Sequence, residues 1–161
     1  DFTAVASIDS LFSVPDFKIR EKIFHLLLIV RLLAREKCLV QTRSVERRTI
    51  EFSLSGNILD FYKMEIEDRE LLQYPPFSVF IKVTVRGAKA LVERESKFLE
   101  EFFKNWNPIV FSSLSERRES QVAANCVIKI KRGEWPLLAL LSKLLSLPPS
   151  FEIKVDPDNL L

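Results

Sequence analysis

The sequence predicts a mixed α/β chain in which strands and helices alternate, and three observations predict it. Stretches such as Phe77–Arg86 alternate apolar and polar residues with the period of a strand. Stretches such as Lys89–Trp106 repeat apolar residues every three or four positions, the period of an amphipathic helix. Helix-stopping prolines stand between them, at Pro75-Pro76, Asn107-Pro108 and Pro148-Pro149.

Taken in order, residues 2–8 read as a short strand, followed by Asp9, Ser10 and a loop containing Pro15. From Phe17 to about Arg35 the pattern is helical and, after Ile23, apolar nearly all round, so the helix should be buried on most sides. The run Ile23–Leu33 is interrupted by His25 and Arg31 and falls far short of the ~20 residues of a membrane span. His25 reads as a structural, hydrogen-bonded histidine. Cys38–Val40 reads as a second buried strand. Residues 43–58 show little periodicity, and Ser55-Gly56-Asn57 signals a turn. Ile58–Gln73 is a charged helix that Tyr74-Pro75-Pro76 brings to an end, because proline cannot donate to the helix ladder.

From Phe77 the alternation places Val79, Ile81, Val83 and Val85 on one side of a half-buried strand and Lys82, Thr84 and Arg86 on the other. The helix Lys89–Trp106, a strand Ile109–Leu114 and a polar loop Ser115–Ser120 follow. Val127–Arg132 alternates again, with Lys129 and Lys131 outward. A leucine-rich helix with Pro136 in its first turn reaches Leu147, and Phe151–Val155 is a last strand. The order β-α-β-β-α-β is the ferredoxin-like arrangement, in which the first and third strands are central and both helices cover one face.

Composition narrows the class. Hydrophobic residues make up 47% of the 161, with 13 phenylalanines, which supports a buried core and excludes a disordered chain. The net charge of +2 names no partner, but residues 75–161 carry 13 Lys and Arg against 10 Asp and Glu, a weak hint of polyanion binding. Cys38 and Cys126 form no Cys-x-x-Cys pair and sit in apolar runs, as buried thiols do in a reducing cytoplasm. The chain opens Asp1-Phe2-Thr3 without a secretory leader or initiator methionine, and is expected to be a piece of a longer protein. Asp156 and Asp158 lack a third ligand, so no metal site is expected there.

Three ordered stretches carry a resemblance. Ile8-Asp9-Ser10 through Pro15-Asp16-Phe17-Lys18 and Glu21 comes first, then Val40-Gln41-Thr42. Asp60-Phe61-Tyr62, Glu65, Arg69 and Tyr74-Pro75-Pro76-Phe77 form the third, with Val155-Asp156-Pro157 at the end. Together they resemble the C-terminal region of the PriA family of primosomal replication-restart helicases. The resemblance implies the end of a RecA-like helicase lobe over residues 1–42, a helical linker over 43–74 and the ferredoxin-like domain over 75–161. It also implies an ATP-driven 3′-to-5′ DNA helicase of the cytoplasm and nucleoid. Its partners would be forked or single-stranded DNA, primosome proteins and the acidic tail of the single-strand-binding protein, with no membrane.

The chain departs from the family in three ways. With three glycines in all, it has no Gly-x-x-x-x-Gly-Lys-(Ser/Thr) loop to cradle phosphates, and no zinc cysteine cluster. This segment is therefore expected to hold no cofactor and to be inactive as an ATPase alone. ATP with magnesium and structural zinc belong to regions upstream in the parent. The family's sixth motif, roughly Gln-Val-Ala-Gly-Arg-Ala-Gly-Arg, falls where this chain reads Leu28-Ile29-Val30-Arg31-Leu32-Leu33-Ala34-Arg35. Arg35 is the first candidate for that motif's arginine finger and Arg31 the second, against a merely solvated arginine. The third strand of the last domain lacks the family's leading aromatic and arginine. Either the tail contact is lost, or Arg117 and Arg118 supply it.

Two further expectations concern sites. Asp9 follows a strand, where helicase motif residues cluster, or serves as a turn or capping aspartate. Lys82, Arg86, Lys129, Lys131 and Lys154 should share the uncovered sheet face and offer a seat for phosphates, against an ordinary solvated face. A stand-alone nucleic-acid-binding or adaptor module derived from the same family remains the alternative reading.

Overall fold

The computed structural model describes residues 2–14, 16–34, 36–43, 47–114 and 122–160. Arg35, Arg117 and Arg118 lie outside the described residues. The chain divides into two compact units, Asp1–Leu71 and Leu72–Leu161. The fold is mixed α/β, as the periodicities predict. Among the described residues no helix is long and apolar enough to cross a membrane.

The first unit contains β1 (Phe2–Val5), α1 (Asp9–Phe12), α2 (Ile19–Leu33), β2 (Lys37–Val40), α3 (Arg47–Ser55) and α4 (Ile58–Leu71). β1 and β2 run parallel, with Phe2 opposite Lys37 and Val5 opposite Val40. Parallel neighbours need a long crossover, which α1 and α2 supply. Ile8, Ile23, Leu27 and Ile50 form the buried cluster. α2 buries only Ile23, Phe24 and Leu27, while His25, Leu26, Ile29, Leu32 and Leu33 are exposed, so it is less buried than its apolar run suggests.

The helix α3 corrects the aperiodic reading of residues 43–58. Its inward positions are Thr49, Ile50 and Ser53, and two of the three are polar, which hides the helical period in the sequence. Ser53 meets its own demand by donating to the Thr49 carbonyl at 2.6 Å. The turn signal after it is real: Asn57 N donates to Phe52 O at 2.9 Å and Gly56 N to Ser53 O at 3.2 Å, the paired bonds that close a helix on a left-handed residue. Gly56 has φ +73°, and a Cβ there would stand 2.8 Å from Arg31 Nη1. Glycine meets both demands.

The second unit contains β3 (Ser78–Gly87), α5 (Lys89–Phe102), β4 (Ile109–Leu114), β5 (Val122–Lys131), α6 (Leu138–Leu145) and β6 (Glu152–Val155). All pairings are antiparallel in the order β4-β5-β3-β6, so the first and third strands of this unit lie side by side at the centre. Val79, Ile81, Val83 and Val85 meet Ala124, Cys126, Ile128 and Ile130 on one face, against Val92, Leu99 and Phe103 of α5 and Leu140 and Leu144 of α6. Burial pushes the Cys126 thiol up to about 12.

Two boundaries differ from the sequence reading. β5 begins at Val122 rather than Val127, because Ala123 and Asn125 are buried on the second face and erase the alternation. Trp135-Pro136 is a cis peptide ahead of α6, so Pro136 lies outside that helix.

Candidate nucleic-acid interface

Antiparallel register decides which side chains share a face, since directly opposite residues point the same way. Ser78 pairs with Lys131, Phe80 with Lys129, Lys82 with Val127 and Arg86 with Ala123 across β3 and β5. Lys82 also pairs with Lys154, and Thr84 with Glu152, across β3 and β6. Lys82, Arg86, Lys129, Lys131 and Lys154 therefore all lie on the face opposite the two helices.

That face is not uniformly solvated. Arg86, Lys129, Lys131 and Lys154 are exposed, but Lys82 retains only 7% of its accessibility, and β3 is buried on both faces from Ser78 to Val85. The half-buried strand expected from the alternation is thus corrected, because a central strand has neighbours on every side. Part of the cover comes from the connection before β3. Tyr74-Pro75-Pro76-Phe77 makes a turn with a cis Pro75-Pro76 bond and a Phe77 N to Tyr74 O hydrogen bond of 2.9 Å. The turn folds residues 72–74 back over the sheet. Ser78 Oγ donates to Gln73 O at 2.7 Å, Tyr74 meets Phe80 edge-on at 5.8 Å, and Lys129 Nζ donates to Leu72 O at 2.8 Å. Lys129 Nζ also stands 5.1 Å over the Tyr74 ring. Desolvation lowers the Lys129 ammonium below its ordinary value.

At the other end Glu152 divides its carboxylate between Arg86 at 2.5 Å and Lys154 at 3.0 Å. The Arg86 hydrogen bond first, and then that of Lys154, holds the Glu152 carboxyl down at about 2. The folded state thus gains stability above the ordinary carboxyl value of 4.5 and loses it as pH falls from there towards 2. Glu152→Gln is expected to flatten that part of the acid-unfolding curve, as followed by circular dichroism. An unchanged curve would show the two ion pairs to be idle in solution.

Between the ends runs a polar ladder that sequence reasoning missed. Thr84 Oγ1 donates to Asn125 Oδ1 at 2.9 Å, and Asn125 Nδ2 donates to Ser113 Oγ at 2.9 Å. Thr84 and Asn125 are buried, so each polar group needs the other. Only the register, which the sequence does not display, brings the three together.

The candidate residues of the first unit fall elsewhere. Asp9 accepts from Thr42 Oγ1 at 2.6 Å and from Arg43 N at 3.0 and 3.1 Å, tying the chain beyond β2 to the start of α1. Arg31 is exposed in the last turn of α2 and lines an open depression with Leu32, Ala34, Glu36, Cys38 and Leu54. The residues that carried the resemblance do converge. Arg69 Nε donates to Glu65 Oε1 at 2.9 Å, Arg69 Nη2 lies 3.1 Å from Glu21, and its guanidinium stands 5.8 Å over the Phe17 ring. Phe24 stacks on Phe61 at 3.8 Å, and Arg20 is paired with Asp68. Among the described residues no three His, Cys, Asp or Glu side chains converge as metal ligands would.

Fold and face define a mixed α/β chain that carries cations on one side of an antiparallel sheet. Comparison with known proteins then makes the kinship particular. The chain is similar to Replication restart protein PriA of Bacillus subtilis, at 33% identity over 153 residues, which are 88% of this chain and 19% of that protein. It is similar to the protein of the same name from Thermotoga maritima, at 32% over 107 residues, 62% of this chain and 14% of the relative. A third, from Chlamydia trachomatis, is 33% identical over 92 residues, 53% of this chain and 12% of the relative. The resemblance to the C-terminal region of PriA, read from the residues, is borne out. The chain spans less than a fifth of the length of these relatives. No family model matches it.

Proposed function

We propose that the chain serves replication restart as the C-terminal region of a PriA-like, ATP-dependent 3′-to-5′ DNA helicase, binding forked or single-stranded DNA. The observation that carries the reading is the convergence of Lys82, Arg86, Lys129, Lys131 and Lys154 on the sheet face away from the helices. Cations on one surface release counterions when they meet phosphates, which makes binding favourable and salt-dependent. The antiparallel order β4-β5-β3-β6 supports a ferredoxin-like domain after the Tyr-Pro-Pro-Phe turn, and the parallel β1–β2 pair with its helical crossover supports a remnant of a RecA-like lobe to about Thr42. Residues 43–74 would then link the two.

In this reading ATP, magnesium and structural zinc are held by parts of the parent that precede this segment. Arg35 or Arg31 would serve as its arginine finger, and primosome proteins and the single-strand-binding protein's tail would be its partners, the tail meeting Arg117 and Arg118. The second reading, a stand-alone adaptor, is favoured by the bulky aliphatic residues that replace the sixth motif's glycines, since leucine denies the backbone a close approach to nucleotide.

A labelled fork titrated with the chain across a salt series tests the proposal. Affinity is expected to fall linearly on logarithmic axes, with a slope of about 0.9 for each phosphate neutralised. A flat response, or no binding, would remove the DNA-binding role. A phosphate-binding glycine loop encoded ahead of Asp1 would favour the helicase over the adaptor.

A further inference from the structure

We infer that one end of the basic face, formed by Lys129, Lys131 and Arg132, is a track for successive phosphates of a single DNA strand. The inference rests on the DNA-binding reading and narrows it. The five cations expected on the sheet are not equally available. Lys82 is buried, and Arg86 and Lys154 share the carboxylate of Glu152, so that end of the face is largely neutralised. Lys131 is exposed and has no ion pair among the described residues.

Arg132, which the strand pattern did not single out, follows directly and is also exposed. Its guanidinium is held 3.2 Å from Asp156 Oδ2. Asp156 is itself fixed, accepting from Phe80 N at 3.1 Å through Oδ1 and donating its own N–H to Phe80 O at 2.7 Å. Arg132 is thus positioned from below while more than half of its side chain stays in solvent. Lys129 is positioned similarly by Leu72 O and the Tyr74 ring, yet its ammonium has further N–H donors to offer.

Spacing favours a single strand over a duplex. Lys129 and Lys131 lie two residues apart on one face of β5, about 6.8 Å along the strand, close to the phosphate-to-phosphate step of an extended nucleotide chain. A duplex curves its phosphates away from a straight run of this kind. The half-buried Tyr74 ring beside Lys129 adds an aromatic surface of the sort on which bases stack.

The test compares a fluorescein-labelled oligothymidylate with a blunt duplex of equal length, using the whole chain and its Lys131→Glu/Arg132→Glu variant. Both residues are exposed, so circular dichroism should report an intact fold, and Lys131→Arg/Arg132→Lys should bind as the parent does. The glutamate variant is expected to lose about tenfold or more in affinity for the oligothymidylate, with the salt slope shallower by about 1.4 for two lost contacts. Duplex binding should barely change. Equal losses on both DNAs would overturn the single-strand track. A variant that binds oligothymidylate as tightly as the parent would overturn it too, while leaving the DNA-binding role in place. A parent chain that binds neither DNA would overturn both.

Discussion

Arg69→Met is expected to destabilise the first unit by about 3–5 kcal/mol, the range for breaking a buried ion pair by removing one partner. Glu65 is only 4% exposed, and Arg69 is its ion-pair partner, with Glu21 and the Phe17 ring on the other side of the guanidinium. Without Arg69 a carboxylate would sit in the interior with no counter-charge. Burial already pushes the Glu65 carboxyl above its ordinary 4.5, with the Arg69 hydrogen bond opposing that rise. A raised carboxyl favours the folded state at low pH and loses that advantage as pH rises. The Arg69→Met deficit is therefore expected to shrink as pH is lowered towards 4.5, because protonated Glu65 no longer needs a partner. Adding Glu65→Leu should restore most of the loss, since two apolar groups of similar volume replace the pair. Urea unfolding across a pH series measures all three. A loss below about 1 kcal/mol, or one that ignores pH, would mean that the pair is solvated in solution.

The same cluster shows what could and could not be read from the residues. Phe17, Glu21, Glu65 and Arg69 stand out as words shared with a family, but nothing in their spacing says that they touch. The alternation of β3 and β5 was legible because one face meets two helices and admits only apolar residues. The burial of the other face was not legible, for it depends on a turn. Tyr74-Pro75-Pro76 reads as the end of a helix, whereas in the fold it returns Leu72 and Tyr74 onto Lys129 and Phe80. Helix α3 escaped notice because Thr49 and Ser53 occupy inward positions where a pattern search looks for leucine. The first residues of β5 escaped for the converse reason, with alanines buried on both sides. Patterns report the core where it is apolar; register and turns govern the polar remainder, including Arg132 and the ladder through Asn125.

Phe103→Ala is expected to remove about 3–5 kcal/mol from the second unit, the range for truncating a buried aromatic side chain. Phe103 is fully buried where α5 gives way to the turn Lys104–Trp106. Its ring meets Phe102 edge-on at 4.9 Å and Trp106 at 6.3 Å, and its backbone N–H and carbonyl bond to Leu99 and Trp106. Lys143 closes the same corner, donating to Phe102 O at 2.6 Å while standing 4.5 Å over the Phe102 ring. Little can collapse into the space an alanine leaves, because these neighbours are already tied to one another. For a unit of this size the melting temperature should fall by at least about 12 °C. Leu145→Ala, at a position 84% exposed on α6, should change stability by less than about 0.5 kcal/mol. The pair of variants also separates folding from binding. The cations lie on the face away from Phe103, so well below its melting temperature Phe103→Ala should bind oligothymidylate with the parent's affinity, scaled by its folded fraction. A loss of affinity in the fully folded variant would mean that the helix layer tunes the basic face directly, and that the two sides of the sheet are not the independent surfaces their side chains make them.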